Sequence, residues 1–212
     1  MPSAATLWAF AVTAFVVIVI PGPSVLFVVG RALGSGRRVA VLSVLGNALG
    51  EYVQVMLVAI GVGALAERSV AAFTVLKLAG GAYLVYLGIH TFRERRSLAA
   101  ALGGMAEPAS DRRSFMQGVT VGATNPKTVV FLAAILPQFV DRRDGSVAIQ
   151  VLLLGLVFMA IAVLCDTAWA LAAGRFRTWF GRSPRRLELV GGTGGLAIVA
   201  VGAGLLVSGR KQ

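Results

Sequence analysis

Val16-Val17-Ile18-Val19-Ile20-Pro21-Gly22-Pro23-Ser24-Val25-Leu26 is the stretch on which the fold turns. It lies inside a run from Met1 to Gly30 that carries no charge, and its two prolines must bend or break a helix in the interior of that run. In a bilayer the backbone groups freed by such a break have no water to turn to, so a break persists only where protein or a polar cavity meets it. The run also exceeds the apolar region of a secretory signal and has no basic segment before it, so it reads as a retained helix.

Outward from this stretch the same pattern repeats. Val39 to Ala66 holds one charge, Glu51; Ser69 to Phe92 holds Lys77; Ser114 to Val140 holds Lys127; Gly145 to Gly174 holds Asp166; Leu189 to Gly209 holds none. A hydrocarbon core about 30 Å thick needs roughly 20 helical residues, so each block crosses once. The expectation is an all-α integral membrane protein of six transmembrane helices, near residues 4–29, 38–66, 69–92, 114–138, 146–174 and 187–208. With 57% apolar and 14% charged residues in 212, no soluble domain fits beside them, and the whole chain reads as one transmembrane domain.

The net charge of +11 suggests nucleic acid until its placement is read. Arg31, Arg37 and Arg38 follow the first span, Arg93, Arg95, Arg96, Arg112 and Arg113 the third, and Arg175, Arg177, Arg182, Arg185 and Arg186 the fifth. Only Arg68, Arg142, Arg143, Arg210 and Lys211 fall on the other side. The bias puts loops one, three and five in the cytoplasm and both termini outside, and makes anionic lipid headgroups the partners of these charges rather than nucleic acid.

The basic segment 93–113 divides the chain into halves, about 1–92 and 114–212, each with three spans. An odd number of crossings per half makes any repeat inverted. Each half opens with a span that prolines interrupt, at Pro21-Gly22-Pro23 and at Asn125-Pro126. Broken helices at matching places in two halves point to a transport site, with packing kinks as the alternative. Gly46 and Gly50, Gly118 and Gly122, and Gly191 and Gly195 put small surfaces one turn apart, which lets helices approach closely.

The intramembrane charges are the candidate chemistry, because such groups face protein or water rather than lipid. Glu51 shares a helical face with Asn47 and Gln54, a polar stripe suited to a protonatable carboxylate or an ammonium ligand. Lys127, just after Asn125-Pro126, is too deep to reach either surface and needs a partner: Glu51, Asp166 or a substrate carboxylate. Asn125 is placed to serve the carbonyls that Pro126 releases. Asp166, a turn before Trp169, either lines an inner mouth or binds Arg175 or Arg177. Lys77 can snorkel outward, and His90 lies at the membrane edge. With one histidine and one cysteine, Cys165, there is no zinc set, and neither a phosphate loop nor a catalytic triad can be assembled. The chain therefore reads as neither an enzyme nor a metal or cofactor protein.

These residues, in this order, resemble the LysE/RhtB family of amino-acid exporters along almost the whole chain. The likeness rests on Pro21-Gly22-Pro23, on Gly36-Arg37-Arg38, on Gly46, Gly50 and Glu51, and on the run from Leu76 to Gly88. It continues through Gly118, Asn125-Pro126-Lys127, Phe131, Leu136 to Val140, Asp166, Trp169 and Gly174-Arg175. The resemblance implies a small carrier of the bacterial inner membrane that expels amino acids or close derivatives in exchange for protons, and the placement of the charges and breaks leads to the expectation of alternating access around a cavity bounded by spans one, two, four and five. The family's acidic position in the second span is often aspartate and is here Glu51. The alternatives are a membrane scaffold or an exporter of an inorganic ion, and the small-residue interfaces make a homodimer conceivable.

Overall fold

The computed structural model describes residues 1–68, 70–94, 110–175 and 184–207. Among them the chain forms eight helices and no strand: α1 Ala4–Val19, α2 Pro23–Gly34, α3 Arg37–Arg68, α4 Val70–Arg93, α5 Asp111–Ala123, α6 Pro126–Phe139, α7 Val147–Arg175 and α8 Pro184–Val207. The helices start where the sequence can cap them. Ser3 accepts from the Thr6 N–H and Ser110 from the Arg113 N–H, while Pro23 and Pro126 occupy first-turn positions whose missing N–H costs nothing. α6 changes character along its length, from an α turn to a π turn at Phe131–Ile135 and a 3-10 turn at Leu136–Phe139.

Two helices, Arg37–Gly61 within α3 and Val147–Arg175, are long and apolar enough to cross a membrane singly. Two bent pairs pass the same test together: α1 and α2 meet at 56°, α5 and α6 at 40°. The first and fourth expected spans are thus both broken, at the expected prolines. α4 and α8, each of 24 residues, stand where the third and sixth spans were expected. Most of the 93–113 linker lies outside the described residues, and Asp111, Arg112 and Arg113 already belong to α5.

Glycines set the closest seams. A methyl at Gly46 would lie 2.1 Å from the Phe115 carbonyl oxygen, one at Gly50 2.2 Å from that of Val119, and one at Gly122 2.0 Å from that of Asn47. The first two expected glycine pairs therefore face each other across α3 and α5. Of the third, Gly195 meets Gly88 on α4, where each added methyl would fall within 2.7 Å of the other's carbonyl oxygen.

Sidedness follows from contacts at the bundle ends. Arg38 Nη2 donates to Asp111 Oδ2 at 2.6 Å, and the Arg37 stem crosses Gly174, so the starts of α3 and α5 and the end of α7 share one end. The Met1 amino group donates to the Asp144 carbonyl oxygen at the other.

Two apolar clusters fill the interior. One contains Phe10, Val17, Val55, Phe131, Leu154 and Phe158, and the other Val25, Val28, Ala40, Val44, Ala170 and Ala173. α1 contributes to the first and α2 to the second, while α3 and α7 contribute to both. The chain therefore passes from one cluster to the other at the first break and at the middles of α3 and α7, where its buried polar residues lie.

Candidate functional site

The two breaks meet in a polar layer between the apolar clusters. Asn47, Glu51 and Gln54 follow one another at helical spacing on α3 and are all at most 5% exposed. Ser24 opens α2, Asn125 caps α6, Lys127 and Thr128 lie in the first turn of α6, and Asp166 projects from α7; all five are also buried.

Asp166, Asn47, Ser24, Asn125, Glu51 and Thr128 form one continuous side-chain hydrogen-bonded chain, beside which Gln54 and Lys127 donate to backbone carbonyls. Asn47 Nδ2 donates to Asp166 Oδ2 at 3.2 Å, and Asn47 Oδ1 accepts from Ser24 Oγ at 2.9 Å. Asn125 Nδ2 lies 2.7 Å from Ser24 Oγ and 3.3 Å from Glu51 Oε1, which also accepts from Thr128 Oγ1 at 3.0 Å. Both carboxylates are thus tied into a network that joins α2, α3, α6 and α7. Such a network is stabilising only when its members are satisfied, and two are not. Glu51 Oε2 and Gln54 Oε1 are buried acceptors without a hydrogen-bond partner. Leaving such an atom unpaired costs about 1–3 kcal/mol.

The prolines explain the rest of the geometry. A helical carbonyl accepts from the N–H four residues on, so Pro21 releases the oxygen of Val17, Pro23 that of Val19 and Pro126 that of Gly122. Each finds a side chain. Lys127 Nζ donates to Val17 O at 3.2 Å and to Ile20 O at 2.9 Å, Trp169 Nε1 donates to Val19 O at 3.3 Å, and Gln54 Nε2 donates to Gly122 O at 2.8 Å.

This revises three expected roles. Lys127 is held by backbone carbonyls, with no ion pair to Glu51 or Asp166 within 4.0 Å. Asn125 serves the second break through its backbone N–H, 3.3 Å from Gly122 O, and Gln54 shares that oxygen, while the Asn125 side chain turns to α6, where its Oδ1 accepts the Lys127 N–H at 3.1 Å. Asp166 binds Asn47 rather than Arg175, and Arg177 lies outside the described residues. Trp169→Phe removes the one donor to Val19 O among the described residues, and an unpaired carbonyl of about 1 kcal/mol should lower the melting temperature in detergent by roughly 2–4 °C; an unchanged melt would show that bond to be unimportant.

Three residues escaped the sequence reading. Ser24 and Thr128 are the hydroxyls just behind the two prolines, a signal available in the chain. Arg31, expected in a loop, lies in the last turn of α2 and is only 8% exposed, bonded to Gln117 and set 5.3 Å from the Phe27 ring centre. Lys77 sits in α4, with its side chain outside the described residues. His90 is half exposed at the end of α4, paired with Glu94 at 3.2 Å and stacked on Tyr86, away from the layer. No cluster of three or more metal-ligating side chains occurs among the described residues.

A polar layer between apolar cores, built on broken helices with unpartnered acceptors, is the anatomy of a membrane transport protein. The family model described as LysE type translocator matches residues 15–209, and the chain belongs to that family, whose members are transporters rather than enzymes. It is 34% identical over 203 residues to the homoserine/homoserine lactone efflux protein of Salmonella typhimurium, covering 96% of both chains. It is 35% identical over 172 residues to an uncharacterized membrane protein of Vibrio cholerae, covering 79% of this chain and 82% of that one. The leucine efflux protein of Enterobacter sp. (strain 638) is 28% identical over 202 residues, 93% of each. No solved structure matches the chain.

Proposed function

We propose that this protein exports uncharged-side-chain amino acids and their close derivatives across the bacterial inner membrane, exchanging them for protons. The observation that carries the reading is the pair of unpartnered acceptors, Glu51 Oε2 and Gln54 Oε1, buried where the two helix breaks meet. The relatives' named cargoes share an amine, whereas a homoserine lactone has no free carboxylate. An ammonium brings several N–H donors and a full charge, and it answers both acceptors at once.

Proton coupling follows from competition. With a proton on Glu51 the carboxyl has no charge to offer the ammonium; with the proton gone, the site binds cargo. Asp166, joined to Glu51 through Asn47, Ser24 and Asn125, is the second carboxylate of the layer and lies at the boundary with the Val25 cluster. The breaks let α1 and α2, and α5 and α6, move as separate segments, so each apolar cluster can open in turn. Three spans per half make the halves inverted repeats, with the prolines at corresponding places. The basic ends of α3, α5 and α7 face the cytoplasm and its anionic lipids, and both termini face outward. A homodimer through the exposed apolar faces is compatible with this arrangement.

Uptake of labelled amino acids and lactones into inverted membrane vesicles, with and without an imposed proton gradient, tests the reading. Accumulation of leucine- or homoserine-like cargo that collapses with the gradient is expected. Gradient-insensitive accumulation would remove the coupling, and no accumulation of any amine would favour another cargo or a scaffold.

A further inference from the structure

We propose that the Lys127 ammonium is a tethered replacement for an alkali-metal ion, seated in a carbonyl site that the first helix break creates. Val17 O loses its helical donor because residue 21 is proline, and the donor that would serve Ile20 O belongs to Ser24, across the 56° bend. Both oxygens converge on Lys127 Nζ, at 3.2 and 2.9 Å. Backbone carbonyls at the end of a helix are hard oxygen ligands that carry its negative dipole. The third released oxygen, on Val19, makes do with a neutral indole donor, whereas the converging pair receives a full positive charge.

Two further observations support a cation seat rather than an incidental contact. Gly22 leaves room beside the ammonium, since a methyl there would come to 3.4 Å of Nζ and 3.5 Å of the neighbouring stem carbons. The layer also holds two carboxylates, Glu51 and Asp166, and among the described residues no other buried lysine or arginine lies within it. Lys127 places a covalently held amine at this depth. The wild-type protein accordingly has no need of dissolved sodium or potassium, and loss of the ammonium with its volume leaves a seat that such an ion can fill. The inference concerns this seat alone and is read by stability, so it stands or falls apart from the transport reading.

The test compares wild type, Lys127→Ala and Lys127→Met, purified in detergent, by thermal unfolding in lithium, sodium and potassium chlorides against choline chloride at equal ionic strength. Lys127→Ala is expected to gain roughly 3–5 °C at saturating concentration of one alkali ion. Wild type, which carries its own cation, and Lys127→Met, whose side chain fills the space without charge, should not respond. If Lys127→Ala is recovered only when purified in one alkali salt, the seat is equally supported. The proposal is overturned if folded Lys127→Ala ignores every alkali ion, if wild type responds as strongly, or if Lys127→Ala cannot be recovered in any of the salts while Lys127→Met can.

Discussion

Glu51→Gln is expected to reach the membrane in wild-type amount and to lose gradient-driven accumulation of cargo. The glutamine carbonyl keeps the position of Oε1, which accepts from Thr128 at 3.0 Å and Asn125 at 3.3 Å, so the network and the fold survive. What disappears is the charge, and with it the proton that competes with the cargo. The Oε2 position becomes an amide donor, which faces an incoming ammonium with hydrogens against hydrogens. Loss of one charge-assisted hydrogen bond, about 1.5–3 kcal/mol, corresponds to roughly a 10- to 100-fold fall in cargo affinity. Glu51→Asp, which keeps the carboxylate on a shorter stem, should retain coupled transport at a reduced rate. Vesicle uptake with a pH jump separates the cases: wild-type accumulation by Glu51→Gln would remove Glu51 from the coupling role, whatever the cargo.

The parts of this molecule that sequence exposes are those governed by periodicity and by proline. The polar stripe of Asn47, Glu51 and Gln54 was legible because helical spacing fixes its common face, and the structure buries all three. The breaks were legible because proline cannot donate. The partner of Lys127 was not, because a backbone carbonyl has no residue type; the only trace of Val17 O in the sequence is a proline four positions later, and a search for charged partners passes over it. The part Gln54 plays at the second break was hidden for a related reason. Proximity in sequence points to Asn125, whose backbone N–H does reach Gly122 O at 3.3 Å, whereas only the close α3–α5 seam brings Gln54 Nε2 to the same oxygen at 2.8 Å. Arg31 is hidden in the sequence because a charge marks the end of an apolar block. A guanidinium that lies over the Phe27 ring and donates to Gln117 can remain inside the helix end.

Gly122→Ala is expected to be among the most damaging single-carbon additions in the chain. The new methyl would stand 2.0 Å from the Asn47 carbonyl oxygen and 3.0 Å from its Cα, where the obstacle is backbone and no rotamer relieves it. α3 and α5 must separate by more than an ångström, and Gly46, Gly50 and Gly118 lose their contacts along the same seam. Overpacking costs about 1–3 kcal/mol and sometimes more, and with the seam opened a fall in melting temperature of roughly 10 °C follows. The control lies in the same helix as Asn47: nothing stands within 4 Å of a methyl at Gly61. Gly61→Ala should leave the melt unchanged or raise it slightly, since alanine stabilises a helix interior by about 0.5–1 kcal/mol over glycine. The damage at Gly122 also has a functional arm. Asn47 links Asp166 to Ser24, so displacing its backbone should reduce transport even at temperatures where the variant is still folded. Equal melting of the two variants would show that the glycine seam yields easily, and that the α3–α5 distance does not hold the polar layer in register.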